Sequence, residues 1–310
     1  MPNQTTDRLL MVRPANFARH SATVSDNAFQ DQPDGQHFHQ IAEAARAEFD
    51  HMVALLREAG VTVLVVEDTP VPVKPDAVFP NNWFTTHEDG VLLTYPYHHA
   101  QRRSERRRDI LELLDREFVV RRAVPLEHWE EAGRFLEGTG SLILDRVNRV
   151  VYACLSQRCD RDAVHDWCAA MDFKPVTFTA TDPGGQPIYH TNVMMALGTA
   201  AVIICLDCIA DPGERAAVTD ALLLGGREIV AINQEQVTRF AGNALELRTQ
   251  RGPLWVMSSS AYHSLGEEQL ARLLAPEGMR LLHVPLPNIE RFGGGSARCM
   301  MAEIFLPERP

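Results

Sequence analysis

The stretch Arg291-Phe292-Gly293-Gly294-Gly295-Ser296-Ala297-Arg298-Cys299-Met300-Met301-Ala302-Glu303-Ile304-Phe305-Leu306-Pro307 holds the key to the chain. Three consecutive glycines let a backbone turn where side chains would clash, or bring main-chain N–H groups close to a ligand. Cys299 follows just as the sequence becomes an apolar strand, which places a thiol at the strand's mouth. The plainer alternative is a glycine turn into a buried strand, with Cys299 as a small hydrophobe.

The same plan recurs upstream. Phe79-Pro80-Asn81-Asn82-Trp83-Phe84-Thr85-Thr86 leads through the turn His87–Gly90 to a return strand, Val91–Tyr95. Phe135-Leu136-Glu137-Gly138-Thr139-Gly140-Ser141-Leu142-Ile143-Leu144 turns into Val150–Leu155, with a helix over Asp160–Met171. Tyr189-His190-Thr191-Asn192-Val193-Met194-Met195-Ala196-Leu197 precedes a strand, Ala201–Leu206, and a helix, Pro212–Leu224. Phe240-Ala241-Gly242-Asn243-Ala244-Leu245-Glu246-Leu247 precedes a strand, Leu254–Ser258, and a helix, Glu267–Leu274. With Asn82, Gly140, Asn192, Asn243 and Ala297 as equivalent points, the spacings are 58, 52, 51 and 54 residues. A period of about 50 residues signals a closed or stacked repeat.

The expected fold is therefore α/β, a pseudo-fivefold ring of ββαβ modules forming one domain over 1–310. Strands Val61–Val66, Pro175–Phe178, Glu228–Ile232 and Leu281–Pro285 join successive units. Residues before 38 read as irregular, 38–59 as an amphipathic helix, and 70–80 as a loop. Residues 101–116 read as a basic helix whose arginines pair with Glu105, Asp109 and Glu112. The fifth unit reads as cut short. In a closed ring the five polar openings converge on the axis, where a substrate pocket belongs.

Composition narrows the function. A formal charge of −11 makes nucleic acid a poor partner, because phosphates demand a basic surface. No apolar run reaches the ~18–20 residues that a membrane span needs, and the start lacks the apolar core of a signal peptide. Six cysteines in 310 residues are too sparse for a disulfide scaffold, so a reduced, cytoplasmic protein is expected. Cys205-x-x-Cys208 has no second pair or spaced histidines to complete a metal site and reads as structural. The sequence leaves the oligomeric state open, with a homodimer as one option.

The five openings present Asn81 and Asn82, Glu137 with Thr139, His190 with Asn192, Asn243, and Cys299. Each has a plain reading taken singly: core histidine, hairpin ion pair, turn-forming amide. A cysteine, a histidine and a carboxylate converging on one point are the set that nucleophilic catalysis needs. A free thiol must be helped to the thiolate, and a histidine can protonate a leaving group and then activate water.

FPNNWF, EGTGSLILDR, YHTNVMM and GGGSARCMMAEIFLP together resemble the guanidine-modifying (pentein) superfamily over residues 79–307. That superfamily includes arginine deiminases, dimethylarginine hydrolases and amidinotransferases, and the motifs are most similar to its citrulline-utilisation branch. The resemblance implies a five-bladed α/β propeller, no cofactor and no metal. It implies Cys299 as nucleophile, His190 as general acid/base and Glu137 as the supporting carboxylate. Arg158 matches an arginine that binds the substrate α-carboxylate, with Arg102 or Arg103 as a second.

Two departures bear on the substrate. Arginine deiminases carry aspartates where this chain has Asn82 (or Asn81) and Asn192. A buried cation without its counter-charge is costly, whereas an amide offers both a donor and an acceptor. The amides suit a neutral ureido group, so the expected reaction is hydrolysis of L-citrulline to ornithine, carbon dioxide and ammonia. Asn82, Asn192 and backbone N–H groups would hold the oxyanion. The alternative is arginine deiminase or dihydrolase chemistry with the same Cys, His and Glu. The expected partner is a small amino acid, with neither nucleic acid nor membrane.

Overall fold

The computed structural model describes residues 3–17, 31 and 37–309. Strand β1 (Arg8–Arg13) crosses through α1 (Phe38–Glu58) to a parallel β2 (Thr62–Glu67). Helix α1 buries Ile41, Ala45, Phe49, Met52, Val53 and Leu56, the stripe that a 3.6-residue period aligns on one face. Each of these side chains larger than Ala45, taken from water, contributes about 1.5–3 kcal/mol.

The next four units share one rule: an antiparallel hairpin, then a helical crossover to a parallel third strand. The first comprises β3 (Phe84–Thr86), β4 (Val91–Thr94), α2 (Arg108–Glu117) and β5 (Arg122–Pro125). The short helix α3 (Gly138–Ser141) opens the second, followed by β6 (Leu142–Asp145), β7 (Val150–Cys154), α4 (Arg161–Met171) and β8 (Lys174–Phe178). The third holds β9 (Met195–Leu197), β10 (Ala201–Ile204), α5 (Pro212–Leu224) and β11 (Glu228–Ala231). After α6 (Gln234–Thr238), the fourth holds β12 (Leu245–Thr249) and β13 (Gly252–Ser258). It crosses through α7 (Ser259–Ser264) and α8 (Glu267–Leu273) to β14 (Arg280–Val284). Last come α9 (Pro287–Gly293) and β15 (Ala302–Glu303).

The result, among the described residues, is five three-stranded sheets. Their first strands meet: β6 lies beside β9, β9 beside β12, and β15 beside β3. No helix among the described residues is long and apolar enough to cross a membrane.

Three expectations are corrected. Residues 8–13 are not irregular, because RLLMVR supplies the middle strand of a sheet. Hence the fifth unit is not cut short: β15 pairs antiparallel with β1 and β1 parallel with β2, which is the rule of the other four. The basic helix is broken into a 3-10 turn, Ala100–Glu105, and α2, because Arg107 is extended (φ −90°, ψ 124°). Neighbouring arginines there reach in different directions. Arg102 turns inward to Glu105, Arg106 reaches Glu130, and Arg107 bonds Asp109 and the Glu67 carbonyl. Among the joining strands, each registers within a residue or two of its expected position.

Candidate active site

Each opening is a tight turn that feeds the first strand of a sheet. Single 3-10 turns hold Asn81 and Asn82 (Pro80–Asn82), Asn192 (Thr191–Val193) and Cys299 (Ala297–Met300), and α3 follows Glu137 directly. The turn at 80–82 touches both α3 and the turn at 297–300, and α3 touches the turn at 191–193. Glycine permits this closeness. A Cβ on Gly140 would collide with Asn82 Nδ2 and stand 2.9 Å from His190 Cε1 and Nδ1. The glycine run does related work, since a Cβ on Gly293 or Gly295 would press into the Phe79 ring at 2.8–2.9 Å. Gly294 adopts the left-handed conformation (φ 62°) that ends α9.

His190 and Glu137, expected to act together, are in contact. His190 Nε2 lies 2.8 Å from Glu137 Oε2, and both residues are buried. Burial would raise the Glu137 carboxyl, but Arg158, His190 and Arg102 outweigh it and hold its pKa at about 2. The ionised carboxylate can only accept, so Nε2 carries the proton and Nδ1 keeps its lone pair. Burial pulls the His190 pKa below its ordinary 6.5, opposed by Glu137, so a neutral imidazole is favoured. Arg158 Nη1 and Arg102 Nη1 each stand 3.8 Å from Glu137.

Cys299 lies where two amides meet. Its sulfur receives Asn243 Nδ2 at 3.2 Å and Asn192 Nδ2 at 3.5 Å. On the other side, Asn82 Oδ1 accepts from Arg102 Nη1 and Nη2 at 3.4 and 3.3 Å. Asn81 points elsewhere, with its amide donating to Thr139 Oγ1 at 3.4 Å. Arg102 is gripped by Glu105 at 2.8–3.2 Å and lies over the Tyr97 ring. Arg103 pairs with Glu130 and is partly exposed. Arg158 is buried over the Tyr189 ring, 3.4 Å from His99 Nε2.

The family model for N,N dimethylarginine dimethylhydrolase, eukaryotic, matches residues 13–306. The chain belongs to this family of penteins. No curated protein sequence matches it. Among solved structures, the N-terminal domain of ArgZ, a cyanobacterial arginine dihydrolase captured with substrate, is similar at TM-score 0.73 and 18% identity, over 96% of this chain and 99% of that one. AgrE in complex with L-arginine aligns at TM-score 0.75 and 18% identity, over 97% of this chain and 40% of that one. A dimethylarginine dimethylaminohydrolase adduct with S-methyl-L-thiocitrulline aligns at TM-score 0.65 and 15% identity, over 98% and 100%.

This pentein is thus a hydrolase of non-peptide C–N bonds. The structure gathers His190, Glu137, Arg158, Arg102 and Asn82 into one network and joins Asn192 to Cys299. Two participants carried no assigned role in the sequence. Asn243 was visible only as the fourth opening, yet it is the nearer amide to the sulfur. Glu105, legible as an ordinary helix-face partner, is buried beneath Arg102. Cys205 and Cys208 lie outside this network as buried free thiols, 3.2 Å apart.

Proposed function

We propose that this pentein hydrolyses the ureido group of L-citrulline, in a closed five-bladed α/β propeller folded as one domain. One observation carries the choice of substrate. Arg102 can only donate, so Asn82 must turn Oδ1 towards it, which leaves Asn82 Nδ2 as a buried donor without a partner among the described residues. Asn192 spends its NH2 on the sulfur and leaves Oδ1 as a buried, unmatched acceptor. A ureido group answers both with one C=O and one NH2. A guanidinium has donors only, and would leave the Asn82 amide facing another N–H. Each unmatched buried group costs about 1–3 kcal/mol.

In the proposed reaction, His190 Nδ1 takes the Cys299 proton and the thiolate attacks the ureido carbon. Asn82 Nδ2 donates to the oxygen as it gains charge. The imidazolium returns its proton to the departing δ-nitrogen, so the C–N bond breaks, ornithine leaves, and a carbamoyl thioester remains on Cys299. Water, deprotonated by His190, attacks that carbonyl and expels the thiolate. The carbamate released decomposes to carbon dioxide and ammonia. Arg158 is assigned to the substrate α-carboxylate. Arg102, committed to Glu105, acts by orienting Asn82.

The second reading is arginine dihydrolysis. The ionised Glu137 beside the network favours it, as does the likeness to folds whose owners are arginine dihydrolases. Incubation of the pure protein with L-citrulline and L-arginine in parallel separates the two. Ornithine from citrulline alone is the expected result, and consumption of arginine at a comparable rate sinks the amide argument. Replacing Cys299 with Ser should abolish turnover of either substrate with the melting temperature retained.

A further inference from the structure

Asn243 holds the sulfur more closely than any residue assigned a role so far. We infer that Asn243 is the positioning residue for the Cys299 thiolate, an inference that rests on Cys299 being the nucleophile.

Its side chain is fixed at both ends. Oδ1 accepts the Arg298 backbone N–H at 3.0 Å, and that N–H can only donate. The NH2 must therefore face the other way, where one hydrogen meets Cys299 Sγ at 3.2 Å and the other the Asn192 carbonyl at 2.9 Å. The donor at the sulfur is thus dictated by chemistry, free of the ambiguity that usually attends an amide's orientation. One side chain ties the third opening to the fifth and fixes where the sulfur sits between them.

The backbone is arranged to the same end. Asn243 N–H bonds the Phe240 carbonyl at 2.8 Å, and Phe240 itself is left-handed, with φ 62°. An aromatic residue in that region is a strained exception, and such strain persists where surrounding structure holds it for a purpose. Gly242 completes the turn against the preceding opening, since a Cβ there would stand 2.6 Å from the Val193 carbonyl oxygen. An N–H donor bonds a charged acceptor more strongly than a neutral one, so what Asn243 contributes is greatest when the sulfur is the attacking thiolate. Titratable groups around the fifth opening are engaged with one another: Arg298 pairs with Glu303, near Arg146; Glu290 accepts from Ser296, near Arg239; and His190 bonds Glu137.

The test is alkylation of Cys299 by iodoacetamide between pH 6 and 10, with the site read by peptide mass and Cys299→Ser as the blank. Asn243→Leu keeps the approximate shape and removes both donors without adding a charge beside the sulfur. Its alkylation near neutral pH should slow about tenfold, the size of one hydrogen bond to a charged group, with the deficit closing towards pH 10. Asn243→Ala should behave alike, and kcat should fall in both with KM little changed. Alkylation matching the parent at every pH overturns the inference. So does a loss of equal size at every pH accompanied by a lowered melting temperature, which is what a purely structural asparagine would give. Turnover retained by Cys299→Ser would refute the proposed reaction while leaving the alkylation comparison intact, so the two failures are distinguishable.

Discussion

At the scale of single residues, the site depends on what is missing as much as on what is present. Gly140 leaves the space in which Asn82 and His190 approach each other. Gly140→Ala should displace both, cost about 1–3 kcal/mol of stability through overpacking, and lower kcat/KM by about a hundredfold, a loss typical of small misplacements. Paired melting curves and steady-state kinetics check it. Glu137 yields a prediction in pH. Its carboxyl is held at about 2 against an ordinary 4.5, so the folded state binds the proton more weakly than the unfolded chain. The associated stability is in place above pH 4.5 and is lost as pH falls towards 2, amounting to about 3 kcal/mol. Glu137→Gln should flatten that stretch of the acid-denaturation profile. It should also shift the acidic limb of kcat/KM to lower pH, because Glu137 raises the His190 pKa.

At the scale of elements, the sequence was legible wherever periodicity was strong. Helix α5 runs over Pro212–Leu224 as expected, with Asp211 accepting from the Glu214 N–H at 2.8 Å at its start. Helix α4 begins alike, with Asp160 Oδ1 accepting from Ala163 N–H at 3.0 Å. Asp160→Ala should lower stability by about 1 kcal/mol, measured by urea unfolding, with kcat unchanged. Besides β1, α9 and the 100–107 segment were misread for physical reasons. The helix α9 hid behind Pro287 and the glycine run, because its one apolar face is too short to show a period. The 100–107 segment kept good helical residues, yet tertiary ion pairs broke the helix, which local propensity cannot foresee. Asn82, Glu137, His190, Asn192, Asn243 and Cys299 were legible as a set because each opens a repeat, whereas Arg158 and Arg102 were singled out only through the resemblance. The direction of an amide was not legible, since it depends on partners remote in sequence: Arg102 for Asn82, and Arg298 for Asn243.

At the scale of the whole molecule, the repeat count and the polar openings were readable from spacing alone. How the fifth sheet is completed was not, because the pairing joins residues nearly the full chain apart: Leu9 opposite Glu303 and Leu10 opposite Ala302. Thr6 Oγ1 reinforces the seam by donating to the Ile304 carbonyl at 2.7 Å, and Gln4 ties the N-terminal segment to the second unit, bridging the Leu144 carbonyl and Arg146 N–H. Removing residues 1–13 should strip the fifth sheet of its middle strand and expose edges on both sides. A broadened, non-cooperative thermal transition by circular dichroism, with activity lost, is the expected outcome.

That seam also sets an order of events during synthesis. Cys299 lies three residues before β15, and β15 docks on a strand translated almost three hundred residues earlier. A contact so distant in sequence forms late, since its loop-closure entropy is met only once intervening structure has condensed. The nascent chain on the ribosome therefore carries Asn192 and Asn243 well before Cys299 can take its place between them. On the proposed reaction, turnover begins only once β1 and β15 have met.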